Sequence, residues 1–406
     1  MRIGVVTTSY PRHPGDPAGN FVAAHVRALR ALGHEIDVIA AGDALSGERS
    51  GELSGHALSG HARSGAVRRP DGERAFDELR RGVVRIPDRS TGLFYTGGAP
   101  DRFEQRPLSS LVAGMAFSAR MTAAIAARAR RWDAIVAHWL LPSALAAVPT
   151  RAPLTAIAHG GDIHTLRRMR ALGPVLRLLR ARGARLVFVS EALRAIARDA
   201  SPGLGGWLED ATIQPMGLEL ARFARIERAP ERPPMILVLA RLVAIKGVDV
   251  AIDAVAQLRS RVRLVIAGDG PERAALEHQA HRAIARASGA LDVQFLGTVD
   301  ATRRDQLLRA ASVVVVPSRA MPSGRTEGMP LVALESLAAG VPVIASAVGG
   351  LAELGSSAAL VRPDRPAELA DAIDRTLAAP PAPGSLRAAV AHLDWRIVAP
   401  RLVRSE

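Results

Sequence analysis

At 406 residues the chain is long enough for two or three domains, each with its own core, and its 48% hydrophobic against 23% charged residues mark it as globular. It has no cysteine, which excludes a disulfide framework and any thiolate metal site. The formal charge of +14 is uneven, with 32 arginines against 21 acids in residues 1–228 but 20 arginines and one lysine against 18 acids in 229–406, so an anionic partner belongs with the first half unless that surface is merely solvated.

Met1-Arg2-Ile3-Gly4-Val5-Val6 enters an apolar strand with no leader pattern, and no apolar run approaches the roughly 18 residues that cross a bilayer, which together give a cytoplasmic expectation. Ile3 to Thr8 reads as the first strand. A loop with three prolines runs from Tyr10 to Asn20, and Gly19 stands just before a helical pattern from Phe21 to Leu32. Glu35 to Ala40 is a second strand. The glycine spacing is not Gly-x-Gly-x-x-Gly, so a dinucleotide site is unsupported. Between Ser46 and Pro70 the Ser-Gly dipeptide recurs at 46, 50, 54, 59 and 64 with few large apolar residues, the composition of a flexible insertion. His56 and His61 lie in it without companions and make a poor metal pair.

Phe117 to Arg131 reads as a helix. Ala134 to Ala137 is a strand that runs into His138-Trp139-Leu140-Leu141-Pro142, and Leu154 to Ala158 is another, ending in His159-Gly160-Gly161-Asp162. Such strand ends are where open α/β sheets place their chemistry. Arg167 to Arg182 is an arginine-dense amphipathic stretch interrupted by Gly173-Pro174, read as two short helices that either lie on an anionic bilayer or are simply solvated. Leu186 to Val189 is a strand followed by Ser190, a capping residue. Arg228 to Pro234, with three prolines, is the expected linker.

The alternation then restarts. Met235 to Ala240 is a strand, followed by Arg241 and, five residues on, Lys246, the one lysine in the chain, where a compact ammonium is wanted rather than a planar fork. Val262 to Ala267 and Val293 to Gly297 are strands, with the turn Gly268-Asp269-Gly270-Pro271 after the former. Val313-Val314-Val315-Val316-Pro317 reads as a buried parallel strand. A loop leads from it to Glu327-Gly328-Met329-Pro330-Leu331-Val332 and a helix predicted to begin at Pro330 and stop at Gly340. Gly328, Met329, Leu331 and Val332 should offer free amides at a positive helix end, a ready phosphate site. The two carboxylates framing it, Glu327 and Glu335, are either simply solvated or address something other than phosphate, for which sugar hydroxyls are the natural partners.

The string from Pro317-Ser318 through Glu327-Gly328-Met329-Pro330 and Leu334-Glu335 to Val348-Gly349-Gly350 resembles the donor-site signature of the retaining glycosyltransferases of family 4. The resemblance implies a GT-B fold, two Rossmann-like doubly wound α/β domains facing a central cleft: an acceptor-side domain over 1–228, a nucleotide-sugar domain over 229–390, and a C-terminal helix over 391–406 crossing back to the first. It implies that Glu327 addresses the donor sugar, that Glu335 holds the ribose hydroxyls, and that Gly328 to Val332, with Pro330 opening the helix, hold the diphosphate. Arg241 and Lys246 would neutralise the leaving group, Gly19 would let its loop approach the phosphates, and His159 would face the donor sugar across the cleft. His138 and Asp162 fall on the acceptor side, His138 being equally readable as a packed core residue.

The implied reaction is transfer of a sugar from a nucleotide-diphosphate donor to a glycan or lipid-linked acceptor with retention of configuration. No Asp-x-Asp occurs in the chain, and no metal or other cofactor is expected. The expected location is the cytoplasm, where the basic first half is either a contact for an anionic inner membrane face or merely solvated; nucleic acid is not an expected partner, since only 3% of residues are aromatic. The alternatives are a nucleotide-sugar epimerase of the same fold and a non-catalytic anion- or nucleic-acid-binding protein.

Overall fold

The computed structural model describes residues 1–13, 16, 18–42, 77–87, 107–287 and 291–403. The Ser-Gly segment of 46–70, with His56 and His61, lies outside them.

Two parallel sheets form the frame. The first contains β1 (Arg2–Val6), β2 (Glu35–Gly42), β3 (Val83–Pro87), β4 (Ala134–His138), β5 (Leu154–Ala158), β6 (Arg185–Phe188) and β7 (Thr212–Ile213), in the spatial order β3-β2-β1-β4-β5-β6-β7. The second contains β8 (Met235–Leu239), β9 (Val262–Ala267), β10 (Leu291–Gly297), β11 (Val313–Val316), β12 (Val343–Ser346) and β13 (Ala359–Val361), in the order β10-β9-β8-β11-β12-β13. Strand β11 is fully buried, as an all-valine segment covered on both faces must be. The edge strands β3, β7 and β13 and the inner strand β12 have no counterpart among the predicted elements.

In each sheet the winding reverses once, between β1 and β4 and again between β8 and β11. At such a reversal the two neighbouring crossovers leave in opposite directions and open a crevice beyond the carboxyl ends of the strands. Those four ends carry Thr7, His138-Trp139, Ala240-Arg241 and Pro317.

Among the described residues the α-helices of eight residues or more are α1 (Asn20–Ala31), α2 (Pro107–Ala129), α3 (Gly161–Arg168), α4 (Leu172–Ala181), α5 (Glu191–Asp199), α6 (Val248–Val255), α7 (Arg273–Arg286), α8 (Ala301–Ala310), α9 (Leu331–Ala338), α10 (Pro366–Ala378) and α11 (Trp395–Leu402). The arginine-dense stretch does form two helices, α3 and α4. The break falls at Met169–Ala171, and Gly173-Pro174 sits in the first turn of α4, where proline is tolerated.

One core lies under the first sheet, and two flank the second. Although α11 follows the second sheet in sequence, Trp395, Val398, Ala399 and Leu402 are buried in the first core. An eight-residue helix is marginal on its own. Burial of these apolar side chains, at about 1.5–3 kcal/mol for each large one, is what holds it there. Gly217 makes the seat, since a Cβ at that position would sit in the Trp395 ring.

Candidate active site

The loop after β8 is held by backbone contacts that need glycine opposite. Leu242 N donates to Asp269 O at 2.9 Å and Glu272 N to Leu242 O at 3.1 Å, and a Cβ on Gly268 or Gly270 would collide with the carbonyl of Ala240 or Leu242. Gly247 adopts φ 60°, and a Cβ there would strike the carbonyl of Pro317, so the turn Ala244–Lys246 presses against the end of β11. This puts Lys246 Nζ 2.9 Å from Glu327 Oε1, with both side chains largely covered. Arg241, exposed, stands at the start of the same loop.

Pro330 precedes α9 rather than opening it. Its φ of −64° suits a helix, but its ψ of 116° makes it the capping residue and Leu331 the first helical one. Gly340 ends the helix at φ 74°. The amides of Gly328, Met329, Leu331 and Val332 find no acceptor in the turns, loops and caps of the described residues, which leaves a concentrated positive end.

A cleft of about 650 Å³ separates the two sheets, walled by Asn20, Phe21 and Arg27 on one side and Val299, Leu331 and Glu335 on the other. Glu335 Oε1 and Oε2 each accept from Arg304 Nη1 at 3.0 Å. Burial pushes its carboxyl above the ordinary value, against the pull of the Arg304 guanidinium. Lys246 and Glu327 are not part of this wall. Lys246, from the turn after β8, pairs with Glu327 on the loop that enters α9.

On the first sheet, Gly19 caps α1 at φ 69°, and a Cβ would meet the carbonyl of Ser9, so glycine there is a backbone requirement of the turn. His159, partly buried, follows β5, and its carbonyl approaches Gly328 so closely that a Cβ on Gly328 would lie 2.5 Å from it.

His138 and Asp162, expected on the acceptor side with His138 equally readable as a packed core residue, are both buried, His138 0% exposed and Asp162 4%. Asp162 accepts from the amides of Leu140 at 2.7 Å, His159 at 3.1 Å, and Gly160 and Ile163 at 3.0 Å, so it ties the end of β5 to the segment after β4. His138 lies between two other imidazoles, with Nδ1 3.0 Å from His159 Nε2 and Nε2 3.1 Å from His25 Nδ1. Burial lowers His25 and His159 to about 3 and His138 well below the usual histidine range, so all three are neutral at pH 7.

Comparison with known proteins agrees with this geometry. The family model for glycosyl transferases group 1 matches residues 233–379. The D-inositol 3-phosphate glycosyltransferase of Acidothermus cellulolyticus is 31% identical over 307 residues, 68% of this chain and 67% of that protein. The chain belongs to the glycosyl transferases group 1. The glycogen synthase of Mycobacterium tuberculosis is 35% identical to this glycosyltransferase over 210 residues, 48% of each chain. Among solved structures, the sucrose-phosphate synthase of Thermosynechococcus elongatus superposes with a TM-score of 0.67 at 21% identity, over 99% of this chain and 97% of that one. Anabaena Alr3699/HepE in complex with UDP-glucose gives 0.66 at 19% identity, over 99% and 98%. These neighbours establish the two-domain GT-B fold.

Three residues that sequence spacing did not single out hold the expected site residues or join the two domains. Arg304, on α8, is the partner of Glu335; an arginine on a polar helix gives no signal of its own. His164 Nε2, on α3, accepts from Thr326 N of the opposite domain at 3.2 Å, beside the loop that carries Glu327. Glu353 reaches back to the first domain, where its carboxylate accepts from Glu191 N at 3.0 Å and Ala192 N at 2.8 Å, capping α5. Ser190, expected as that cap, makes no side-chain capping bond. In this enzyme a helix end of one domain is therefore closed by a carboxylate of the other. Glu353→Ala is expected to weaken the closed arrangement by about 1 kcal/mol, the usual worth of a capping group. Small-angle scattering should then show a larger radius of gyration, with activity down less than tenfold; an unchanged radius would count against the clasp.

Among the described residues no helix is long and apolar enough to cross a membrane. Arg168 at the end of α3, Arg170 in the break, and Arg177 and Arg180 on α4 are exposed.

Proposed function

We propose that this glycosyltransferase transfers a sugar from a nucleotide-diphosphate donor to a glycan or lipid-linked acceptor with retention of configuration, as a family 4 enzyme does, and without a metal ion. The observation that carries the reading is the Lys246–Glu327 pair, at 2.9 Å, whose carboxylate is on the loop that enters the amide-rich start of α9. It supplies a cation for a diphosphate and a carboxylate for a sugar hydroxyl within one side-chain length of each other. Further support comes from Anabaena Alr3699/HepE, a structural neighbour that was solved with UDP and with UDP-glucose.

In this reading the diphosphate lies against the amides of Gly328 to Val332, with Arg241 and Lys246 taking up the negative charge that builds as the bond from the anomeric carbon to the phosphate oxygen breaks. Glu335, fixed by Arg304, accepts from the ribose hydroxyls, and Gly19 lets the loop after β1 approach the phosphates. Glu327 and His159 hold the donor sugar. The acceptor oxygen attacks the anomeric carbon on the face the diphosphate is leaving, and its proton passes to the departing phosphate oxygen. Cations already oriented in a partly dry cleft do the work that a metal ion does elsewhere. The exposed arginines of α3, α4 and the break between them would bring the enzyme to an anionic membrane that carries the acceptor.

The test is a panel of UDP- and GDP-sugars, each with and without EDTA, read by release of nucleoside diphosphate and by thermal shift with the nucleotides alone. Acceptor-dependent release that EDTA does not alter supports the proposal. Loss of release in EDTA overturns metal independence, and no shift or release with any nucleotide overturns the donor assignment. Glu335→Gln separates binding from chemistry. Donor KM should rise about tenfold while kcat stays within a few-fold, because the lost charge serves the nucleotide and not the reacting bond. An unchanged KM would remove Glu335 from the ribose.

A further inference from the structure

The chain His159, His138, His25 runs from the gap between the domains beside Gly328 into the first core and ends at Trp395 of α11. Its outer nitrogen, His159 Nδ1, has no protein partner among the described residues and is not buried. Its inner nitrogen, His25 Nε2, is buried and has no hydrogen-bond partner. The His25 ring lies flat on the Trp395 ring, 4.9 Å between centroids and 6° between planes. Phe21 meets His138 edge-on at 5.7 Å and so offers it no polar partner.

Three neutral imidazoles carry three ring protons, and the two short contacts allow only two ordered arrangements. In one, every N–H points toward the gap: His25 Nδ1 donates to His138 Nε2, His138 Nδ1 donates to His159 Nε2, and His159 Nδ1–H faces the gap. In the other, every N–H points inward, and the last of them, His25 Nε2–H, has nothing to donate to. Because the N–H bond lies in the imidazole plane and that plane is parallel to the indole, Trp395 cannot accept it through its face. A buried unpaired N–H is rarer and costlier than a buried unpaired lone pair, so the first arrangement prevails.

We infer that His25 and His138 are positioning residues that hold His159 in the tautomer protonated at Nδ1, so that this ring is a hydrogen-bond donor at the gap between the domains. Resting on the proposed function, the group it meets is an oxygen lone pair of the donor sugar, and a sugar lacking a hydroxyl there binds less well. Trp395 keeps the His25 ring in register, so docking of α11 contributes to the state of a side chain at the site. His138 is thus read as part of the site through His159 and not by touching substrate.

The full-length chain with ¹⁵N-labelled histidine answers this by long-range proton–nitrogen correlation, with resonances assigned from single variants. Wild type should show His159 protonated at Nδ1 and bare at Nε2. His25→Ala vacates a site where a water can either donate to or accept from His138 Nε2, so the His159 signal should become a mixture of tautomers and donor KM should rise about fivefold. His25→Phe, which fills the site and leaves His138 Nε2 a buried lone pair, should keep the wild-type tautomer. A wild-type His159 protonated at Nε2 overturns the inference even if neither variant folds, and so does a His25→Ala protein whose His159 tautomer is unmoved. The spectrum needs no substrate: the stated tautomer in a protein that transfers no sugar would sink the proposed function and leave the relay standing.

Discussion

Lys246→Ala is expected to lower kcat/KM by about 10²- to 10³-fold, the usual cost of losing one preorganised charge at a developing anion. Lys246 is the chain's one ammonium side chain, and the turn that carries it is fixed by Gly247 against the end of β11. Its removal acts twice. It takes away a cation from the leaving diphosphate, and it leaves Glu327, 2.9 Å away in the intact protein, as an uncompensated negative charge beside the same group. Lys246→Arg should restore little, because a planar fork on a different stem cannot occupy the position of a compact ammonium against Glu327. Steady-state kinetics with a melting curve as control checks this. Near-normal kcat/KM in Lys246→Ala, with the fold intact, would mean that Lys246 is only the structural partner of Glu327.

The doubly wound α/β layout was readable because buried parallel strands such as Val313–Val316 are β-branched without interruption and end at proline or glycine, a local pattern that tertiary packing only reinforces. The start of α9 was readable for a similar reason, to within one residue, the slip at Pro330 being the difference between a helical φ and a helical ψ. The first-domain wall was not. His138 and Asp162 stand at strand ends that suit both catalysis and scaffolding, and only contacts such as His138 with His25 and Asp162 with the amide of Leu140 show that both are covered. His25 falls on the apolar face of α1, where a histidine looks like any core residue until His138 and Trp395 are brought against it from more than 100 residues away. Arg304 and Glu353 are charged residues in ordinary surroundings, and their roles exist only as contacts between elements distant in sequence.

Gly328→Val is expected to reduce kcat/KM by at least about 100-fold while leaving the melting temperature almost unchanged, a separation that follows from where the new side chain would go. Its Cβ would lie 2.5 Å from the carbonyl of His159 and 3.2 Å from Val189 Cγ2, both in the opposite domain. Gly160, on that domain, already brings its own Cβ position within 3.3 Å of Gly328, so neither backbone can retreat. Each domain keeps its own core, and the collision is relieved by parting the two rather than by unfolding either. The cost then falls on closure, which must bring His159 and the start of α9 to the same substrate. A displacement of about 1 Å at such a site is enough for a loss of this order. The variant should show a larger radius of gyration in solution and a donor-nucleotide affinity close to wild type, because Glu335, Arg304 and the amides of α9 all lie on one domain. A variant that stays compact and active would place the two domains farther apart during turnover than they stand here, and the joint assignment of His159 and Glu327 to one donor sugar would fail with it.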